Sequence, residues 1–168
     1  MRFNKLPLRD ALIPAIINGL INGLITLNRV GEQTQVPISL DSISTTQLSV
    51  WGIAVSLTFG LGIILSLITS HLTVTRLKAR YAGELHYPAL PSWRVRVGLA
   101  LSHCAALAGW FICLAVIWTK YVGVVMVSGS TASILVAGFA FIVTVVIETR
   151  TRASLLYRKM PRFDDVSR

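Results

Sequence analysis

His103 is the only acid, base or imidazole well inside a long apolar stretch of this 168-residue chain. In hydrocarbon such a ring can relay a proton or bind a cation. Alternatively it stays neutral and hydrogen-bonds a hydroxyl or carbonyl of a neighbouring helix. Asn18 and Asn22 stand one helical turn apart in another apolar stretch, where each amide must find partners because lipid offers none. They are either fasteners between helices or the lining of a polar pathway. Asp10, His71 and Glu148 fall at those ends of the apolar stretches that adjoin the basic segments. They can form one ionisable mouth to a pathway, or simply be solvated as charged helix ends.

Other chemistry finds little support in the spacing. Cys104 and Cys113 lie nine residues apart on one helix, about 13 Å along its axis, which is beyond disulfide reach. They belong to no C-x-x-C pair and read as small packing residues. A haem between His71 and His103 needs ligands near one level, yet His103 lies about 9 Å inside its helix and His71 at a helix end. No cofactor and no metal is expected. There is no nucleophile triad, H-E-x-x-H, Walker or dinucleotide fingerprint. Glu84, Asp164 and Asp165 sit in polar segments, so an enzyme would have to work with Asp10, His103 or Glu148. The reading therefore leans away from catalysis.

The elements that hold these residues follow from composition. Hydrophobic residues make up 54% of the chain and charged ones 14%, and the mean hydropathy is +0.68, more apolar than one soluble core of this size uses. Four apolar stretches of roughly 20 residues each fit membrane spans. They run over about residues 11–27, 50–70, 97–118 and 124–147, joined by an outer loop at 28–49, a basic inner loop at 71–96 and a basic tail at 148–168. The predicted fold is all-α, a single polytopic four-transmembrane-helix bundle.

Boundaries have local support. Pro14 lies near the start of the first span, where water can satisfy the carbonyl it frees. Leu24 to Val30 lacks a small-x-small cleavage pattern, which suggests an uncleaved anchor. Ser44 and Gln47 have capping-box spacing ahead of the second span, whose helix is expected to continue to about Tyr81 before Gly83 stops it. Pro88 and Pro91 break the chain before the third span, with Ser92 as N-cap. The fourth helix should fray into a tail ended by Pro161. Trp51, Trp93, Trp118 and Tyr121 fall at span ends, where their rings suit the headgroup layer.

A net charge of +9 would suggest nucleic acid in a soluble domain, but here its position matters more. Fourteen of the sixteen Lys and Arg lie in the N-terminal segment, the middle loop and the tail; only Arg29 and Lys120 occupy the alternate loops. That is a positive-inside pattern with both termini cytoplasmic, as in a bacterial inner membrane. It makes anionic lipid headgroups the expected partner of the basic face and leaves nucleic acid without support.

Membrane helices associate at small residues and through hydrogen bonds. Small or polar residues at steps of three and four suggest one packing stripe per helix. The stripes are Ala11, Ala15, Asn18, Asn22 and Thr26; then Gly52, Ser56, Gly60, Ser66 and Ser70. The third helix offers Gly98, Ser102, Ala105, Gly109 and Cys113, and the fourth Ser130, Ser133, Ala137, Ala140, Thr144 and Glu148. Gly19 and Gly23 add a GxxxG pair, for packing within the chain or against a second copy. Two functions remain open. One is a small transporter or channel component with a polar seam of Asn18, Asn22, Ser56, Ser102, His103 and Ser133. The other is a non-catalytic accessory or scaffold subunit of a larger membrane complex.

Overall fold

The computed structural model describes residues 9–30, 35–39, 48–80 and 91–156, with side chains for all of these except 9, 10, 80 and 156. Four helices dominate: α1 (Arg9–Val30), α2 (Val50–Arg80), α3 (Trp93–Tyr121) and α4 (Gly129–Leu156). Each is long and apolar enough to cross a membrane. The shortest has 22 residues, or about 33 Å against a hydrocarbon core of about 30 Å. The chain is a multi-pass integral membrane protein with an all-α four-helix bundle fold.

Local chemistry sets the helix ends. Ser49 caps α2: its Oγ accepts the Gly52 N–H at 3.1 Å and its carbonyl the Ile53 N–H at 3.0 Å. The cap is thus Ser49, while the capping-box candidates Ser44 and Gln47 lie outside the described residues. Helix α2 is described to Arg80, and the expected stop at Gly83 lies outside the described residues. Ser92 occupies the N-cap position of α3 with extended backbone, but its side chain makes no capping bond.

The fourth span begins later than the apolar pattern indicates. Gly123, at φ +81°, takes a left-handed conformation that a Cβ would strain. With Val122 it turns its N–H back to the Trp118 carbonyl, which ends α3. Val125–Val127 then forms strand β2, antiparallel to β1 (Val36–Ile38), with Val36 opposite Val127 and Ile38 opposite Val125. Only at Ser128, whose Oγ accepts the Thr131 N–H at 3.3 Å, does α4 start. Four consecutive apolar residues after a glycine fit a strand as well as a helix start, and the glycine decides between them.

The two-stranded sheet brings the end of α1, the start of α2, the end of α3 and the start of α4 to one end of the bundle, called the loop end here. The opposite, termini end holds the start of α1 and the end of α4. Arg29 and Lys120 lie at the loop end, whereas Arg76, Lys78, Arg94, Arg96, Arg150 and Arg152 lie at the termini end. Helix α4 is the hub: α1 packs on one side of it and α2 on another, and α3 packs mainly on α2. At the loop end the core is aromatic. Trp51 stacks on Phe139 at 5.2 Å between ring centres and lies 6.5 Å from both Phe111 and Trp118. Val36 and Ile38 of β1 are buried in this same core.

Candidate functional site

The buried face of α4 carries Ser133, Val136, Ala140, Val143, Thr144, Ile147, Glu148 and Thr151. Their steps of three and four residues put them on one stripe, and four of the eight are polar. A polar residue there must bond across to another helix or back to its own backbone. Both occur. Thr144 Oγ1 donates to its own helix at the Ala140 carbonyl, 2.7 Å away, and accepts from Asn18 Nδ2 at 2.7 Å. Asn22 Nδ2 in turn reaches Asn18 Oδ1 and the Asn18 carbonyl, each at 2.9 Å. Ser133 Oγ donates to the Gly23 carbonyl.

These bonds are possible because α1 and α4 approach closely. A Cβ at Gly19 would sit 3.0 Å from the Ala137 carbonyl oxygen, and one at Gly23 the same distance from Ala137 Cβ. The GxxxG pair therefore packs within the chain. Asn18, Asn22, Gly19, Gly23 and Ser133 form one joint, with side chains that bridge rather than enclose space.

Toward the termini end the seam becomes ionic. Glu148 Oε2 accepts from Arg152 Nη2 at 2.8 Å, one helical turn away, and the two side chains are only 7% and 12% exposed respectively. One turn past Glu148, Thr151 Oγ1 lies 3.0 Å from Ser66 Oγ of α2 and 3.4 Å from His103 Nδ1 of α3. Ser154 Oγ is 3.2 Å from the other imidazole nitrogen. Both His103 nitrogens thus meet hydroxyls of α4 and tie α3 to the hub. These partners lie beyond Arg150 on α4, so His103 is level with the charged end of that helix. Counting residues from mid-span puts it deeper, within about 7 Å of the bilayer centre. Within α3 itself it stands ten residues past Trp93, the first residue of the helix.

The remaining expected site residues are elsewhere. Ser56 and Ser102 face outward from the bundle and do not join Asn18. His71 is exposed, and Asp10 lies in the first turn of α1 with its side chain outside the described residues. Gly52 serves the α2 cap. Gly60, Gly98 and Gly109 have nothing within 4 Å of a Cβ built on them. Among the described residues none of the three touches another helix, so the expected small-residue stripe on α3 faces out of the bundle. The true α3 contact is Ala100, Cys104, Ala108, Phe111 and Ala115. Cys104 Sγ donates to the Thr58 carbonyl at 3.2 Å and lies 3.3 Å from where a Gly62 Cβ would be.

Sequence reasoning missed Gly62, Thr58 and Thr151. Thr151 continues the α4 stripe three residues past Glu148, a signal cut off by ending the span at 147. Among the described residues no three His, Cys, Asp or Glu side chains are grouped to hold a metal ion. No family model matches the chain, and neither a curated protein nor a solved structure matches it.

Proposed function

We propose that the chain is a non-catalytic membrane subunit that docks onto a further transmembrane helix through the outward face of α3. One observation carries this reading: Gly98, Ser102, Ala105, Gly109 and Cys113 are all exposed, on the side of α3 opposite its buried contacts. Large residues rim this stripe, with Leu101 and Ile112 on one side and Trp110 and Ile117 on the other. Lipid gains nothing from a furrow of small residues and a serine hydroxyl, whereas a second helix gains close backbone approach and a hydrogen-bond partner. The bonded polar groups of the α1–α4 joint support the same conclusion. Thr144 and Ser133 hydroxyls end on carbonyls and the two Asn amides on each other and Thr144, an arrangement suited to fastening helices.

The stripe contains its own reporter. Cys113 is exposed and free. If a second copy is the docked helix, mild oxidation of native membranes gives a disulfide-linked dimer that Cys113→Ala abolishes and Cys104→Ala retains. If the partner is another protein, a bifunctional thiol reagent on Cys113 gives a heavier adduct of one defined mass. Cross-linking that is absent, or unaffected by Cys113→Ala, contradicts the docking face.

The buried Glu148 favours a second reading, a transport component using the seam of α4, since an ionisable group within a span is a functional candidate by default. That reading requires proton or solute flux in proteoliposomes containing this chain alone. The basic termini end supports an orientation with both termini in the cytoplasm and a place in a bacterial inner membrane.

A further inference from the structure

We infer that His103 closes a one-way hydrogen-bonded clasp across α2, α4 and α3, which holds its ring as the neutral tautomer protonated at Nε2. Four side chains form the clasp in sequence. Ser66 Oγ of α2 lies 3.0 Å from Thr151 Oγ1 of α4, and Thr151 Oγ1 lies 3.4 Å from His103 Nδ1 of α3. His103 Nε2 lies 3.2 Å from Ser154 Oγ, back on α4. Distances alone leave the direction of each bond open. A count of protons closes it. Ser66 and Thr151 are both 0% exposed, so neither hydroxyl can turn to water, and among the described residues their hydroxyls have no partners beyond those just named. Each hydroxyl carries one proton. With the ring proton on Nδ1, that nitrogen donates to Thr151 and Thr151 to Ser66, which leaves the Ser66 proton buried without an acceptor, a defect that folded interiors avoid. With the ring proton on Nε2 nothing is orphaned. Ser66 donates to Thr151, Thr151 to Nδ1, and Nε2 to Ser154.

The direction of these bonds determines what the ring can do. Its lone pair is taken up inward by Thr151, and its N–H points to the half-buried Ser154 toward the termini end. The imidazole therefore offers no free lone pair to a cation. Nor does the chain carry protons onward, because it stops at Ser66, whose hydroxyl has no further partner among the described residues. What remains is a latch. Helix α3 packs mainly on α2 and only lightly on α4, and His103 supplies the polar tie that fastens it to the hub. The clasp holds whether or not another helix covers the outward face of α3.

The test is nitrogen NMR of the full chain, isotope-labelled at histidine, in bilayers of phosphatidylcholine and phosphatidylglycerol in mildly alkaline buffer, where neutral imidazole is observed. His71→Gln with His86→Gln leaves His103 as the one labelled ring. In that chain the form protonated at Nε2 exceeds the form protonated at Nδ1 by about tenfold or more, the weight of one orphaned buried hydroxyl. Adding Thr151→Val removes the group that sets the choice, so the ratio falls at least about threefold and hydrogen exchange of the α3 amides from Trp93 to His103 quickens. Thr151→Ser keeps the hydroxyl and with it both the ratio and the slow exchange. A dominant Nδ1-protonated form or an even mixture with Thr151 in place overturns the clasp, as does a ratio that Thr151→Val leaves unchanged. If Thr151→Val does not fold, the ratio with Thr151 in place decides by itself.

Discussion

Arg152→Leu is expected to lower folding stability by about 3 kcal/mol or more, the size of effect found when one partner of a buried ion pair is removed. The Glu148 carboxylate is 7% exposed in its side chain and bonded to Arg152 at 2.8 Å. Without the guanidinium, the carboxylate stays in a low-dielectric site with less compensation. Glu148→Leu combined with Arg152→Leu should recover part of the loss, because an apolar pair avoids the desolvation penalty of this ion pair. Thermal unfolding in detergent of the two single variants and the double variant measures this cycle. Arg152→Leu melting with the wild type would contradict the view that the pair is buried in the assembled bundle.

Gly19→Leu should be the second severe change. A Cβ at Gly19 meets the Ala137 carbonyl oxygen at 3.0 Å and Phe141 Cβ at 3.5 Å. Backbone cannot turn aside as a side-chain tip can, so a leucine must push α1 from α4. Overpacking of this kind costs about 1–3 kcal/mol. The separation also stretches the 2.7 Å Asn18–Thr144 bond between the two helices. Such polar contacts average only about 0.6 kcal/mol in membrane proteins, so steric loss dominates. Gly19→Ala should fall between. The readout is the melting temperature together with protease sensitivity of the segment ahead of α2. If Gly19→Leu instead leaves stability unchanged and dissolves an oligomer, α1 belongs to an interface between copies and the internal packing is wrong.

The contrast between α1 and α3 shows what the sequence can and cannot convey. On α1 the polar residues Asn18 and Asn22 and the glycines Gly19 and Gly23 occupy adjacent strips, with large aliphatic residues over the rest. A helix of that kind has one side for protein and one for lipid. The α4 stripe is equally legible from Ser133 through Glu148. On α3, however, two small-residue sets lie on opposite sides, Gly98 to Cys113 and Ala100 to Ala115. Lipid and protein interior are both apolar, so spacing alone gives no reason to choose between them. Selection came from Gly62 on α2, which admits Cys104, and from the hydroxyls of Thr151 and Ser154, which meet His103. All of these are long-range relations. The same limit displaced Ser56 and Ser102 from the seam: each has the right residue type on the wrong side of its helix.

We propose that the outward face of α3 is held by another membrane helix while the polar seam inside the bundle fastens the chain to itself. Gly109→Leu alters that outward face alone. No described atom lies within 4 Å of its Cβ position, and the higher helix propensity of leucine should favour folding slightly, by about 0.8 kcal/mol. The decisive measurement is the mass of the complex extracted from native membranes in mild detergent, for wild type and Gly109→Leu side by side. A docked α3 face gives a stable assembly for the wild type and a lone, fully folded protomer for the variant. Identical masses for the two, or a wild-type chain that emerges alone, would contradict it.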